Sequence, residues 1–180
     1  MPAPTTNVTL SAITCVFKRQ KTFAEHCIDQ LDNATFFARQ SDGLNSVAAI
    51  VKHVAGSMTS RFTDFLTTDG EKPSRDREAE FVPNETRTQL MDLWQASWHT
   101  LFTTLDALTP ADLSHSVTIR GEPHTVAHAL MRALDHYGYH VGQIALLARM
   151  GVPDRWRWFT ILPGESQQFN RAMRGRFDVR

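Results

Sequence analysis

A chain of 180 residues, 42% hydrophobic and 21% charged, carries enough apolar material for one packed domain and too little length for two large ones. Nineteen basic residues balance nineteen acidic ones, which removes the electrostatic argument for nucleic acid as a partner. Polar residues interrupt every apolar stretch well before the roughly 18 positions that a membrane span requires, so no membrane partner is expected.

The first residues, Met1-Pro2-Ala3-Pro4-Thr5-Thr6, contain no basic n-region, and the expected location is the cytoplasm. A first helix is expected from Val8 to Leu31, with Leu10, Ile13, Phe17, Cys27, Ile28 and Leu31 at three- and four-residue steps. Lys18-Arg19-Gln20-Lys21 reads as a solvated turn of that helix. Cys15 and Cys27, twelve positions apart, would lie about 18 Å from each other on it. That is too far for a disulfide and fits a reducing compartment. Asp32-Asn33 and Ser41-Asp42-Gly43 mark turns.

A second helix is expected from Leu44 or Asn45 to Thr67, striped by Val47, Ile50, Val51, Val54, Met58, Phe62, Phe65 and Leu66 and stopped by Asp69-Gly70. A polar loop with Lys72, Arg75, Arg77 and Glu80 follows. Asn84 is the expected N-cap of a third helix that runs through Leu90, Leu93, Trp94, Trp98, Leu101 and Leu105 to Leu108. The stretch Ser116–Gly121 alternates weakly and reads as a short extended piece before a turn. A last long helix runs from His124 to Met150, with Gly151-Val152-Pro153 as its stop. The tail holds Trp156, Trp158, Phe159, Phe169 and Phe177, and so is expected to pack on the bundle or on a partner chain. The fold class is therefore all-α, a four-helix bundle forming one domain over residues 1–180, with an aromatic tail from 153.

Two of these helices carry histidines at suggestive positions. His136 and His140 are spaced i and i+4, which puts them on one face with Cβ atoms about 5–6 Å apart. His53 sits beside the apolar stripe of the second helix and points inward or along a groove. Facing helices of a bundle are where metal sites are built. Three imidazoles around one divalent ion leave a position open for water or substrate, the arrangement of a catalytic rather than a structural site. The plainer reading is chance: His124 and His128 repeat the same spacing, and are taken as a partly exposed pair near a helix start. His26, His99 and His115 are taken as structural or surface residues.

The segment Asn45-Ser46-Val47-Ala48 to His53 and Gly56, with Leu134-Asp135-His136-Tyr137-Gly138-Tyr139-His140-Val141-Gly142-Gln143-Ile144, resembles the DinB/YfiT-like metalloenzyme superfamily. Arg61–Leu66, Asp69–Pro73, Arg75, Arg77, Glu80-Phe81 and Pro163–Asn170 resemble one uncharacterised subfamily of it. The resemblance implies up-down-down-up connection of the four helices, frequent homodimers, and His53, His136 and His140 as ligands of one divalent ion. One departure is Met58, where a polar residue is expected. Superfamily members include thiol-dependent transferases and a maleylpyruvate isomerase, which implies a low-molecular-weight thiol as cosubstrate.

Around this core, Gln143 either orients a ligand one turn back or is a packing amide on the helix face. Tyr137 and Tyr139 either line the pocket or pack in the core or an interface. Arg61 with Asp64, and Arg75 and Arg77 with Glu80, are read as surface pairs holding the loop; the alternative for Arg75 and Arg77 is an anionic substrate carboxylate. The expected function is a metal-dependent transferase or hydrolase-like enzyme of a small molecule, holding zinc or nickel, with bound water or thiol as nucleophile and no assignable general base. The rival is a non-catalytic, stress-linked metal-binding module acting as a dimer.

Overall fold

The computed structural model describes residues 8–177, so the reading of Met1–Thr6 and the side chain of Phe177 lie outside the described residues. Six α-helices and one small hairpin are described: α1 (Val8–Ile28), α2 (Asn33–Phe37), α3 (Val47–Phe62), α4 (Arg87–Ala107), β1 (Ser116–Ile119), β2 (Glu122–Thr125), α5 (Val126–Gly151) and α6 (Ser166–Phe177). The molecule is a mostly helical bundle in which α1 packs on α5 and α4, and α3 packs on α4 and α5. No described helix is long and apolar enough to cross a membrane.

Helix α3 is the central element. Ser46 caps it by accepting from the Ala49 amide at 3.1 Å. Nearly its whole circumference is buried, so it is enclosed on several faces. Its apolar residues meet a cluster built on Phe17, Trp94, Trp98 and Tyr137, with Trp98 edge-on to Trp94, Phe17 and Tyr137. Met58 is fully buried in this core, and its polar neighbour Ser57, also buried, lines a cavity.

Several element ends differ from expectation, each for a local reason. α1 stops at Ile28, not Leu31, because Arg87 donates to the Ile28 and Leu31 carbonyls at 2.9 and 2.6 Å and ties off the free helix end. Asp32 does not merely turn the chain; it caps the short α2 by accepting from the Thr35 amide at 2.8 Å. α3 ends at Phe62, five residues before Thr67, and Asp64 takes a left-handed φ of 48°. The cap of α4 is Thr86, not Asn84: Thr86 and Gln89 form a reciprocal capping box. Gln20 is not part of a solvated turn, since its amide donates to the Leu134 carbonyl on α5 at 3.0 Å.

The weakly alternating stretch is a two-stranded antiparallel hairpin, pairing Ser116 with Thr125 and Ile119 with Glu122. Its two-residue turn, Arg120-Gly121, has positive φ at both positions (58° and 75°), which matches the twist of the flanking strands. His124 lies on β2 and not in the helix, which corrects its expected placement; it is buried and His128 is exposed, so the pair is partly exposed as expected. After α5, Phe159 stacks on Phe23 at 5.0 Å, Arg149 lies over the Trp158 ring at 4.4 Å, and Arg157 exchanges backbone bonds with Gln30 and His26. The tail thus packs on the bundle through residues 156–159, whereas α6 is exposed along almost its whole length.

Candidate metal centre

Helix α5 presents His136 and His140 on one face, as the i, i+4 spacing requires, and α3 presents His53 opposite them. The His136 Nε2 lies 3.1 Å from His140 Nε2 and 3.4 Å from His53 Nε2. One nitrogen from each of the three rings lies within 4.8 Å of the others, and among the described residues this is the one such group of histidine, cysteine or carboxylate side chains. Tetrahedral coordination with bonds of about 2.0–2.1 Å places ligand nitrogens about 3.3–3.4 Å apart, so the spacing fits a divalent ion. The donor set is three imidazoles, and among the described residues no carboxylate or thiolate joins them.

Two of the rings are oriented from behind. His53 Nδ1 lies 2.8 Å from Glu80 Oε2, an arrangement in which the Nδ1–H donates and Nε2 keeps its lone pair free. His140 Nδ1 stands likewise 2.8 Å from Gln143 Oε1, and Gln143 Nε2 donates to the Tyr139 hydroxyl at 2.9 Å. Gln143 thus bonds the His140 ring on the side away from His136. The Phe81 ring stacks on His53 at 4.6 Å and fixes its plane. His136 Nδ1 is buried without a partner, which leaves Nε2, aimed at the other two rings, as its working nitrogen.

Glu80 is the site residue that sequence reasoning placed wrongly. It sits in the 3₁₀ turn Ala79–Phe81, buried against α3 beside Gly56, with Arg75 donating to it from Nε and Nη2 at 2.7 and 2.8 Å. Arg75 also reaches Glu71 at 3.1 Å. Burial would raise the Glu80 carboxyl, but the hydrogen bonds from Arg75 and His53 hold it below the usual carboxylate range. The Arg75–Glu80 pair expected from the sequence is thus present, but it is buried rather than at the surface, and Arg75 also lines the cavity beside the histidines. Arg77, by contrast, is exposed and does not pair with Glu80. Tyr137 is fully buried in the core, its hydroxyl pushed up to about 12 by burial, while Tyr139 is exposed at the cavity rim.

A cavity of about 620 Å³ opens beside His53 and His136. Arg61 forms part of its wall and makes no ion pair with Asp64, which corrects the expected surface pairing. The rim holds Arg77, Arg120, Arg132 and Asp135. Asp69 clasps that rim: its carboxylate accepts from the Glu71, Arg120 and Gly121 amides at 2.7–2.8 Å, which keeps it well below the usual carboxylate range. The second pair, His124 and His128, has Nδ1 atoms 3.3 Å apart, but His124 Nε2 faces Glu122 on its far side, so no third ligand converges there.

Burial, reinforced by the neighbouring rings, pulls His136 down to about 3 and His140 to about 4, from an ordinary value of 6.5. The folded, metal-free protein therefore refuses protons that the unfolded chain accepts. Its stability is complete above about pH 6.5 and falls as the pH drops toward 4 and 3, by about 1.4 kcal/mol per pH unit for each excluded proton. Urea titrations of EDTA-treated protein between pH 7 and 5 should show this loss, with a shallower slope for His136→Ala. Equal slopes would contradict it.

The family model described as "Protein of unknown function (DUF1572)" matches residues 5–165. Among solved structures, a conserved protein from Enterococcus faecalis is similar at a TM-score of 0.63 and 19% identity, over 82% of this chain and 99% of that one. At that identity the likeness speaks to the fold alone. No curated protein matches the chain.

Proposed function

This chain belongs to the DUF1572 family, whose function is unknown, and on that premise we propose that it is a divalent-metal-dependent enzyme acting on a small molecule, with His53, His136 and His140 as the ligands. The convergence of three imidazole nitrogens, two of them oriented through their Nδ1 atoms, carries the reading. A divalent ion held there supplies Lewis acidity and lowers the pKa of a coordinated water or thiol. The chain's own part is to present three neutral imidazoles, to fix the His53 ring between Glu80 and Phe81, and to hold a cavity open beside them. Zinc and nickel both suit imidazole donors. Thiol-dependent transfer is the favoured reaction class, on the resemblance to DinB-like bundles of up-down-down-up connection; with it go a cytoplasmic setting and a homodimer.

Purification without a metal-affinity tag, followed by elemental analysis, tests the reading. About one zinc or nickel ion per chain is expected for wild type, and a substoichiometric amount for His140→Ala. Turnover of common electrophiles with cellular thiols by wild type, lost in His140→Ala, would establish catalysis. A wild-type protein that takes up no divalent ion on dialysis would end the proposal. Metal bound without turnover would favour the non-catalytic module.

A further inference from the structure

The cavity beside the histidines has an unusual wall. Arg61 is 8% exposed, and no hydrogen bond or ion pair satisfies its guanidinium among the described residues; its Nε is fully buried without an acceptor. A buried cation without a carboxylate is costly unless something else neutralises it. Burial works most strongly against its charge; Tyr137 and Glu71 act in its favour, while the like charges of Arg132 and Arg75 act against it. Arg75 and Glu71 are already committed to each other and to Glu80. At the rim, Arg77 has no acidic partner among the described residues, Arg120 reaches Glu71 at 3.3 Å, and Arg132 stands 3.7 Å from the exposed Glu122. Asp135 is the one acidic residue lining the cavity.

We propose that this cavity receives a small oxyanion-bearing substrate or cosubstrate, a carboxylate or phosphate, with Arg61 as its buried anchor and Arg77 and Arg132 closing on it from the rim. The inference deepens the metal-dependent reading and rests on it for the placing of the anion beside the reacting centre. The guanidinium fork suits either a carboxylate or a phosphate, because both offer two oxygens in the geometry of its paired N–H groups. Seated on Arg61, such a group shares the cavity with His53 and His136, which places the rest of the molecule beside two of the three imidazoles.

The test is thermal denaturation of the full chain with sodium phosphate or succinate against sodium chloride of equal ionic strength, before and after EDTA treatment. In EDTA-treated wild type, at least one of the two anions should raise the Tm, and the stronger of them assigns phosphate or carboxylate. Arg61→Met should fold at least as stably as wild type in chloride, because a buried unpaired charge is removed. It should also lose about tenfold or more in anion affinity. Arg77→Gln, an exposed change, should weaken the anion effect in part and serves if Arg61→Met fails to fold. A shift seen only in metal-loaded protein and indifferent to both variants would place the anion on the metal and overturn the proposal, as would the absence of any shift. Because the EDTA arm does not need the ion, failure of the metal reading alone would leave the arginine-dependent shift in place.

Discussion

Glu80→Ala is expected to lower the stability of the metal-free protein by about 3–5 kcal/mol and, separately, to weaken metal binding by about 10–100-fold. The first effect follows from what the carboxylate neutralises. Arg75 has a side chain only 6% exposed and directs both Nε and Nη2 at Glu80. Without Glu80 the guanidinium keeps Glu71 as its remaining acid partner and is left buried with donors unmet. The second effect follows from His53, whose Nδ1–H would lose its acceptor, and with it the tautomer and ring position that offer Nε2 to the ion. Glu80→Gln keeps an acceptor for one of these partners and should fall between wild type and alanine. Urea denaturation after EDTA treatment measures the first effect, and competition against a chelating dye measures the second. A stability change below about 1 kcal/mol would show that the Arg75–Glu80–His53 chain contributes no more than an exposed pair does.

The second large effect comes from adding one methyl group. Gly56 lies one turn beyond His53 on α3, and a Cβ there would overlap the Glu80 carboxyl. In an ordinary helix interior, glycine to alanine stabilises by about 0.8–1 kcal/mol. Here the methyl displaces a side chain that Arg75 and His53 anchor at three points. Gly56→Ala is therefore expected to destabilise by about 2–4 kcal/mol, the loss of the buried network less the helix gain. The sign should reverse in a Glu80→Ala background, where the overlap is gone and the helix gain of about 1 kcal/mol remains. A double-mutant cycle with chemical denaturation measures both. Gly56→Ala equal to or more stable than wild type would refute the packing argument.

The histidine cluster was legible in the sequence because helices turn spacing into position. His136 and His140 share a face at any plausible helix boundary, and His53 lies beside the apolar stripe of a helix that is buried almost all round. Glu80 was not legible as a partner of His53, since it stands 27 residues away in a loop where no periodicity fixes a side chain. The signal that pointed to it was Gly56, a glycine inside a strongly apolar helix, which asks for a close neighbour. Arg61 was misread because the helix was carried on to Thr67. The left-handed turn at Asp64 separates the two residues that a continuing helix would have set one turn apart. The cap of α4 was in plain view as Thr86-x-x-Gln89, and Asn84 drew attention only as the earlier polar residue. The first strand and the turn after it were legible, but the returning strand was not, because its His124 was read into the last helix and Arg120 occupies a turn position that usually favours asparagine, aspartate or glycine.

One carboxylate, that of Asp69, joins two stretches of chain about fifty residues apart, bonding the amides of Glu71 on one side and of Arg120 and Gly121 on the other. Gly70 adds a further bond to the Thr118 carbonyl at 2.8 Å. The entrance is thus stitched together by loop backbone, while the floor is fixed by two long helices. Changes to the loop and the hairpin turn would reshape the doorway, and so what it admits, without moving the imidazole floor.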